Sequence, residues 1–267
     1  DADLFIVDDG AGGTNRKVTA SRLKTYAGGA ATIGALTDVT MDATNFVDSI
    51  LIQTNSDGSA GTTGTLSSAS NNVGIGKDVF KTLTSGNENA VIGTACGAAL
   101  TSGVGNVFMG LSAGGAVTTG SYNVYIGRGA GDGHDAESDN IGIGKDALGG
   151  PLDGAQYNTA VGAGVCLPAL TSGDWNVCYG SNAGESVTTG GNNVFLGGNA
   201  GNSITTGSRN IMIGYNVNAS GNSGEYQIGI GDSFNLDGDN DFSFGKGSNI
   251  VTNDFDADAA WSRSSDV

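Results

Sequence analysis

The sequence predicts an all-β fold: a parallel β-solenoid, or β-roll, built from 17-residue coils. Three observations carry that reading. First, one motif (Asn, apolar, variable, apolar, Gly) recurs ten times between Asn72 and Gly231. Second, the steps between copies are 17, 17, 17, 17, 18, 18, 17, 17 and 17 residues, with a degenerate copy, DFSFG from Asp241, 14 residues further on. Third, Gly is 48 of 267 residues while Pro is 2, and aliphatic residues return at fixed positions. That composition excludes collagen and opposes both disorder and helix. A unit this short cannot bury its own side chains, but stacked units can, by pairing as parallel strands. At about 4.8 Å per strand, ten coils make a rod roughly 48 Å long.

Residues 1–27 read as a small attachment unit of strand, turn and short helix. Leu4–Val7 suits a strand, Asp8 to Gly13 is a turn by composition, and Thr19 can cap a helix that carries Leu23 and Tyr26 on one face. Arg16, Lys17, Arg22 and Lys24 make this unit basic, a solvated face or a docking surface for an acidic neighbour. Residues 28–71 form a connector in which Asn45–Thr54, marked by Phe46, Ile50 and Ile52, is strand-like, and Ser56–Ser70 reads as a linker.

Residues 72–231 are the shaft. Seven residues after each Asn stands a small apolar residue (Val79, Cys96, Ala113, Ala130, Ala147, Val165, Ala183, Ala200, Val217). Eleven or twelve after it stands an aliphatic one, as in Leu83, Leu100, Val117, Leu152, Leu170, Val187 and Ile204, followed in most coils by Thr-Ser-Gly or Thr-Thr-Gly. Each coil therefore reads as strand, tight turn, second short strand, tight turn. The Asn residues (Asn72, Asn89, Asn106, Asn123, Asn140, Asn158, Asn176, Asn193 and Asn210) stack at a corner and hydrogen-bond their neighbours as a ladder. In a half-buried strand the first and third residues after the Asn point inward and the middle one outward. The middle positions hold Val91, Phe108, Tyr125, Phe195 and Met212, an uncharged outer stripe that soluble monomers avoid. A parallel homotrimer packed through these residues closes such a rod.

Residues 232–267 form an acidic cap. Asp237, Asp239 and Asp241 have the alternate-oxygen spacing of a calcium loop, though the distal Glu is replaced by Ser248, and a solvated acidic loop is the plainer reading. The single histidine, His134, takes an aliphatic position; it reads as a surface bulge or, with Asp132 and Asp135, as a metal ligand. Cys96, Cys166 and Cys178 are odd in number, fall at different coil positions and do not stack, and so read as buried thiols. The net charge of −16 opposes nucleic-acid binding. There is no run of 18 apolar residues, no P-loop, no zinc spacing, no HExxH and no GxSxG. Asp1 reads as a processed or internal start.

The repeats resemble those of tailed-phage tail fibres and, more distantly, the heads of trimeric autotransporter adhesins. The opening Asp3-Leu4-Phe5-Ile6-Val7-Asp8-Asp9-Gly10-Ala11-Gly12-Gly13-Thr14-Asn15-Arg16-Lys17, continuing through Ser21-Arg22-Leu23, resembles the virion-proximal segment of marine-phage fibres. The close, Trp261 to Val267, is similar to the junction before an intramolecular chaperone peptidase, which implies self-cleavage at Ser265-Asp266. The resemblance implies a non-enzymatic virion-tail or extracellular fibre that binds itself and a cell-surface receptor or glycan. A cellular adhesin or end-to-end filament subunit is the alternative, and a polysaccharide-degrading tailspike the third.

Overall fold

The computed structural model describes residues 4–7, 16–19, 39–43, 46–52, 64–151, 153–256 and 262–263. Among these residues every regular element is a strand. Strands β1 (Leu4–Val7) and β2 (Arg16–Thr19) form a separate antiparallel pair in which Leu4 faces Thr19. The strand expected at Leu4–Val7 is present. Thr19 ends a strand and is not a helix cap there, and the helix expected to carry Leu23 and Tyr26 lies outside the described residues.

All other strands belong to one sheet. It opens with β3 (Val39–Ala43), antiparallel to β4 (Phe46–Ile52), which is also flanked by the two-residue β5 (Ala69–Ser70). The coil strands follow in sequence order: β6 (Val73–Ile75), β7 (Ala90–Ile92), β8 (Val107–Met109), β9 (Val124–Ile126) and β10 (Ile141–Ile143). Next come β11 (Thr159–Val161), β12 (Val177–Tyr179), β13 (Val194–Leu196), β14 (Ile211–Asn218), β15 (Ile228–Asn235) and β16 (Asp241–Lys246). From β4 to β16 neighbours are parallel, and the motif residues pair position for position, across the 18-residue steps as well. The last strands, β17 (Asn249–Asp254) and β18 (Ser262–Arg263), return antiparallel. The parallel ladder is therefore closed at both ends by a reversal of strand direction.

The ladder holds one more copy than the motif search finds. In β4, Ile50, Leu51 and Ile52 pair with Val73, Gly74 and Ile75, and Ser49 stands where an Asn would, its Oγ accepting from Asn72 N at 2.8 Å. The copy hides because Ser replaces Asn and the step is 23 residues. The end of the expected linker is likewise structured, since Ala69 and Ser70 pair with Phe46 and Val47. The degenerate DFSFG copy sits as expected, with Phe242 and Phe244 opposite Ile228 and Ile230.

The inside and outside of the strand are the reverse of the expectation. Val91, Phe108, Tyr125, Phe195 and Met212 are fully buried, and the residues on either side of them face out. These five form the core and cannot be the trimer-packing stripe. The reason is the Asn. It points into the coil, so with a period of two the middle residue and the Gly share its inner face. An inward Asn is tolerable because its side chain is fully used. Asn106 Oδ1 accepts from Asn123 N (3.0 Å) and Asn123 Nδ2 (3.2 Å), while Asn106 Nδ2 donates to Asn89 Oδ1 (3.0 Å) and to Gly120 O (2.9 Å). The expected ladder exists, and it also ties each strand to the far side of its own coil.

The second short strand is absent from most coils. Ser112 and Gly114 both have positive φ, at 58° and 57°, and bend the chain on either side of the buried Ala113. No extended run survives there. The coils still stack, through bonds such as Gly97 N to Ala113 O (3.0 Å) and Thr84 N to Thr101 O (2.9 Å). Only β14 and β15 continue through this region, pairing Val217 with Phe234.

Volume is balanced within each coil. Where the middle residue is large, as at Phe108, the position eight after the Asn is a glycine, Gly114, and a Cβ there would lie 2.8 Å from the Phe108 ring. Where the middle residue is small, as at Gly74 and Gly142, that position holds Phe80 or Leu148. Close packing without voids requires this exchange. The closing glycine of each motif is fixed by a different contact. At Gly110 φ is 136°, and a Cβ would lie 2.5 Å from Gly127 O of the next coil.

Candidate functional site

The outer face of the strands is the most unusual surface of the molecule. It carries the first and third residues after each Asn, two per coil from Val73 to Ile230. None is charged, and only Thr159 and Tyr179 bear a polar atom. Val73, Ile92, Met109 and Val177 are between 37% and 45% exposed. Twenty such side chains present on the order of 1,000 Å² of continuous surface, above the roughly 300–600 Å² patch of an ordinary monomer. Their β-branched, flat packing suits a strand face. The face exists because the inward Asn forces these positions out.

Two edges border it. One is the residue before each Asn, held in the left-handed region: Tyr122 (φ 60°), Asp139 (61°), Tyr157 (61°), Trp175 (61°), Arg209 (62°) and Tyr226 (55°). On this edge Tyr157 and Trp175 stack at 4.2 Å and 11°, and the Arg209 guanidinium lies 5.1 Å from the centre of the Tyr226 ring. The other edge is the fifth residue after each Asn, with Lys77, Leu111, Arg128, Lys145, Ala163, Ser181 and Tyr215. The sequence reading passed over both columns, although the period that found the Asn would have found them. Side chains so variable along a column carry no packing signal.

Inside the coil from Asn123 lies a polar node. His134 is fully buried, so it is neither a surface bulge nor a metal ligand on the axis; it fills the aliphatic position of its coil. Its Nδ1 shares a short hydrogen bond with the Tyr125 hydroxyl, and that hydroxyl donates to Asn123 Oδ1 at 3.1 Å. His134 Nε2 is buried and has no hydrogen-bond partner among the described residues. Burial lowers the His134 pKa to about 4, against smaller opposing effects of the Glu137 charge and the Leu148 carbonyl. The Tyr125 phenol is raised, by burial first and by Glu137 second. Glu137 is itself buried, with its carboxylate accepting from Asp135 N (2.9 Å), Ala136 N (3.1 Å) and Gly154 N (3.2 Å).

Asp132 and Asp135 point away from this node and are exposed. The Asp132 carboxyl is raised by partial burial and then by Asp146 of the next coil. Among the described residues no three His, Cys, Asp or Glu side chains converge to hold a metal ion. Asp239 Oδ1 accepts from Glu225 N (2.8 Å) and Gln227 Nε2 (3.2 Å), and Asp241 Oδ2 from Gly238 N (2.8 Å), while Asp237 is exposed. Two of the three calcium candidates thus bond to the protein's own turns. The three cysteines are free and buried. Cys96 is pushed up to about 12 by burial. Contrary to expectation Cys166 and Cys178 meet: the Cys178 thiol is raised by burial and then by its contact with Cys166. The extra residue of that coil moves Cys166 into the inner place expected for Val165, which is only half-buried. Ser265, Asp266 and Leu152 lie outside the described residues.

Comparison with protein-family profiles, with curated proteins and with solved structures finds no match to this chain.

Proposed function

We propose that the chain is the shaft segment of an extracellular attachment fibre of the tailed-phage tail-fibre type, a parallel homotrimer that works mechanically and by multivalent contact with a cell-surface receptor or glycan. The observation that carries the proposal is the uncharged outer strand face. At roughly 1,000 Å² it exceeds the ~800 Å² that each partner gives to a standard stable interface, and a threefold arrangement buries it along the whole rod. The proposal assigns the chain no catalysis.

Light scattering on the whole protein tests it. The expected mass is three chains, and Ile126→Asp with Ile143→Asp, both on the outer face, should release monomers that keep their β circular dichroism. A monomeric wild type overturns the proposal. Electron microscopy should show discrete rods. The filament reading is tested by the same micrographs, in which indefinite filaments would take the place of discrete rods. The tailspike reading is tested by incubating the protein with capsular polysaccharide and looking for chain shortening.

A further inference from the structure

The homotrimer proposed above leaves open how its three copies fix their mutual height, and the two edges of the apolar face bear on that question. Across the coils from Asn158 and Asn176 they differ sharply in bulk. One edge carries the Tyr157–Trp175 stack, with the two side chains 42% and 56% exposed. The other edge is hollow around the coil from Asn158. An open groove of about 640 Å³ runs there, walled by Lys145 and Tyr179 and lined by Val161, Ala163 and Gly164. The hollow follows from the sequence. The step from Asn158 to Asn176 is 18 residues, the added residue falls in the Ala163–Val165 turn, and the edge positions there are the small Ala163 and Gly164.

The same insertion opens the backbone ladder. In other coils the sixth residue after the Asn donates to the fifth of the coil before, as Ala95 N to Lys77 O (2.8 Å), Ser112 N to Thr94 O (3.0 Å) and Asp146 N to Arg128 O (2.9 Å). Among the described residues neither Gly164 N nor Asn182 N makes this bond, so the Lys145 and Ala163 carbonyls lack that donor. The groove thus offers apolar walls and open acceptors, which suits an aromatic group carrying an N–H or O–H.

A closed threefold assembly has no axial translation, so each edge meets the opposite edge of the next copy at equal height. We infer that the Tyr157–Trp175 pair of one copy seats in the Ala163–Gly164 groove of the next, and that this contact sets the register of the trimer. The indole N–H and the phenol supply donors for the open carbonyls. The levels above and below agree in charge. Asp139 stands level with Lys145, Tyr122 with Arg128, and Arg209 with Tyr215, giving an ion pair and two cation–π partners. No level brings two like charges together. The ion pair of Lys145 with Asp146 at 3.3 Å is exposed and weak enough to exchange.

The test is cysteine cross-linking of the full chain. Ala163 and Tyr157 lie on opposite edges of one chain and cannot bridge within it. Under a mild oxidant the variant carrying both Ala163→Cys and Tyr157→Cys, which stand level, should give a covalent trimer on a denaturing gel, and either single variant should not. The native thiols are buried and do not compete. Ala163→Trp, which fills the groove from its own side, should raise the concentration for half-assembly by roughly tenfold or more with the β circular dichroism kept. If light scattering reports a trimer but the pair does not cross-link, or if Ala163→Trp assembles like wild type, the register contact is wrong and the fibre proposal stands. If Tyr122→Cys with Trp175→Cys gives a covalent dimer, the copies run antiparallel and the inference falls. If the native protein is a monomer, both fall.

Discussion

His134→Leu should remove a specific part of the protein's acid sensitivity. The substitution restores the aliphatic residue that other coils carry at this place. In wild type His134 is fully buried with Nε2 unpartnered, and its pKa falls from 6.5 to about 4. A depressed pKa on a base means that the unfolded chain takes up the proton first. The contribution of neutral His134 is therefore fully present above pH 6.5 and is lost as the pH falls through about 4. At about 1.4 kcal/mol per pH unit, the loss across that window is on the order of 3 kcal/mol per chain. At pH 7.5 the variant should be as stable as wild type or more so, because it removes an unsatisfied buried nitrogen while the Tyr125 hydroxyl keeps Asn123 Oδ1. The assay is urea unfolding of both proteins at pH 7.5 and pH 4.0. Taking the difference of differences cancels every other titrating group, including Asp132, whose raised pKa acts in the opposite direction. Equal acid losses in the two proteins would refute the argument and show that His134 is hydrated or charged in the folded coil.

Three further substitutions probe the stacking rules, each read by thermal unfolding. Gly110→Ala places a Cβ 2.5 Å from Gly127 O at a φ of 136°, and should destabilise by about 3 kcal/mol or more, with no relief from neighbouring side-chain changes. Gly114→Ala meets the Phe108 ring instead, so its loss should shrink when Phe108→Ala is added, with a coupling of roughly 1–3 kcal/mol in the double-mutant cycle. Additive losses would mean that the two positions do not share volume. Asn106→Ala strands Gly120 O and the Asn123 backbone N–H and leaves Asn89 Oδ1 with the Asn106 backbone N–H as donor, and should cost about 2–5 kcal/mol; a loss below about 1 kcal/mol would show that water replaces the ladder.

The 17-residue period, the parallel stacking, the Asn ladder and the closing glycines were legible in the sequence. Each is a demand that every coil makes identically, so repetition exposes it. Gly110 must be glycine because the next coil's carbonyl occupies the space of a Cβ, and the same collision recurs one coil later. The strand from Ser49 to Ile52 was not legible, because an end coil has neighbours of a different kind and its motif is free to drift.

Tertiary structure alone decided which side of the strand faces in. Alternation gives two faces but not their assignment, and Phe108 and Tyr125 are as apolar as Val107 and Ile126 beside them. The inward Asn settles it, and an isolated polar residue gives no hint that it belongs inside until its four bonds are counted in three dimensions. The His134 node and the groove at Ala163 are local departures from the repeat. Their environments are set by the coils above and below, which the order of residues in one coil does not contain.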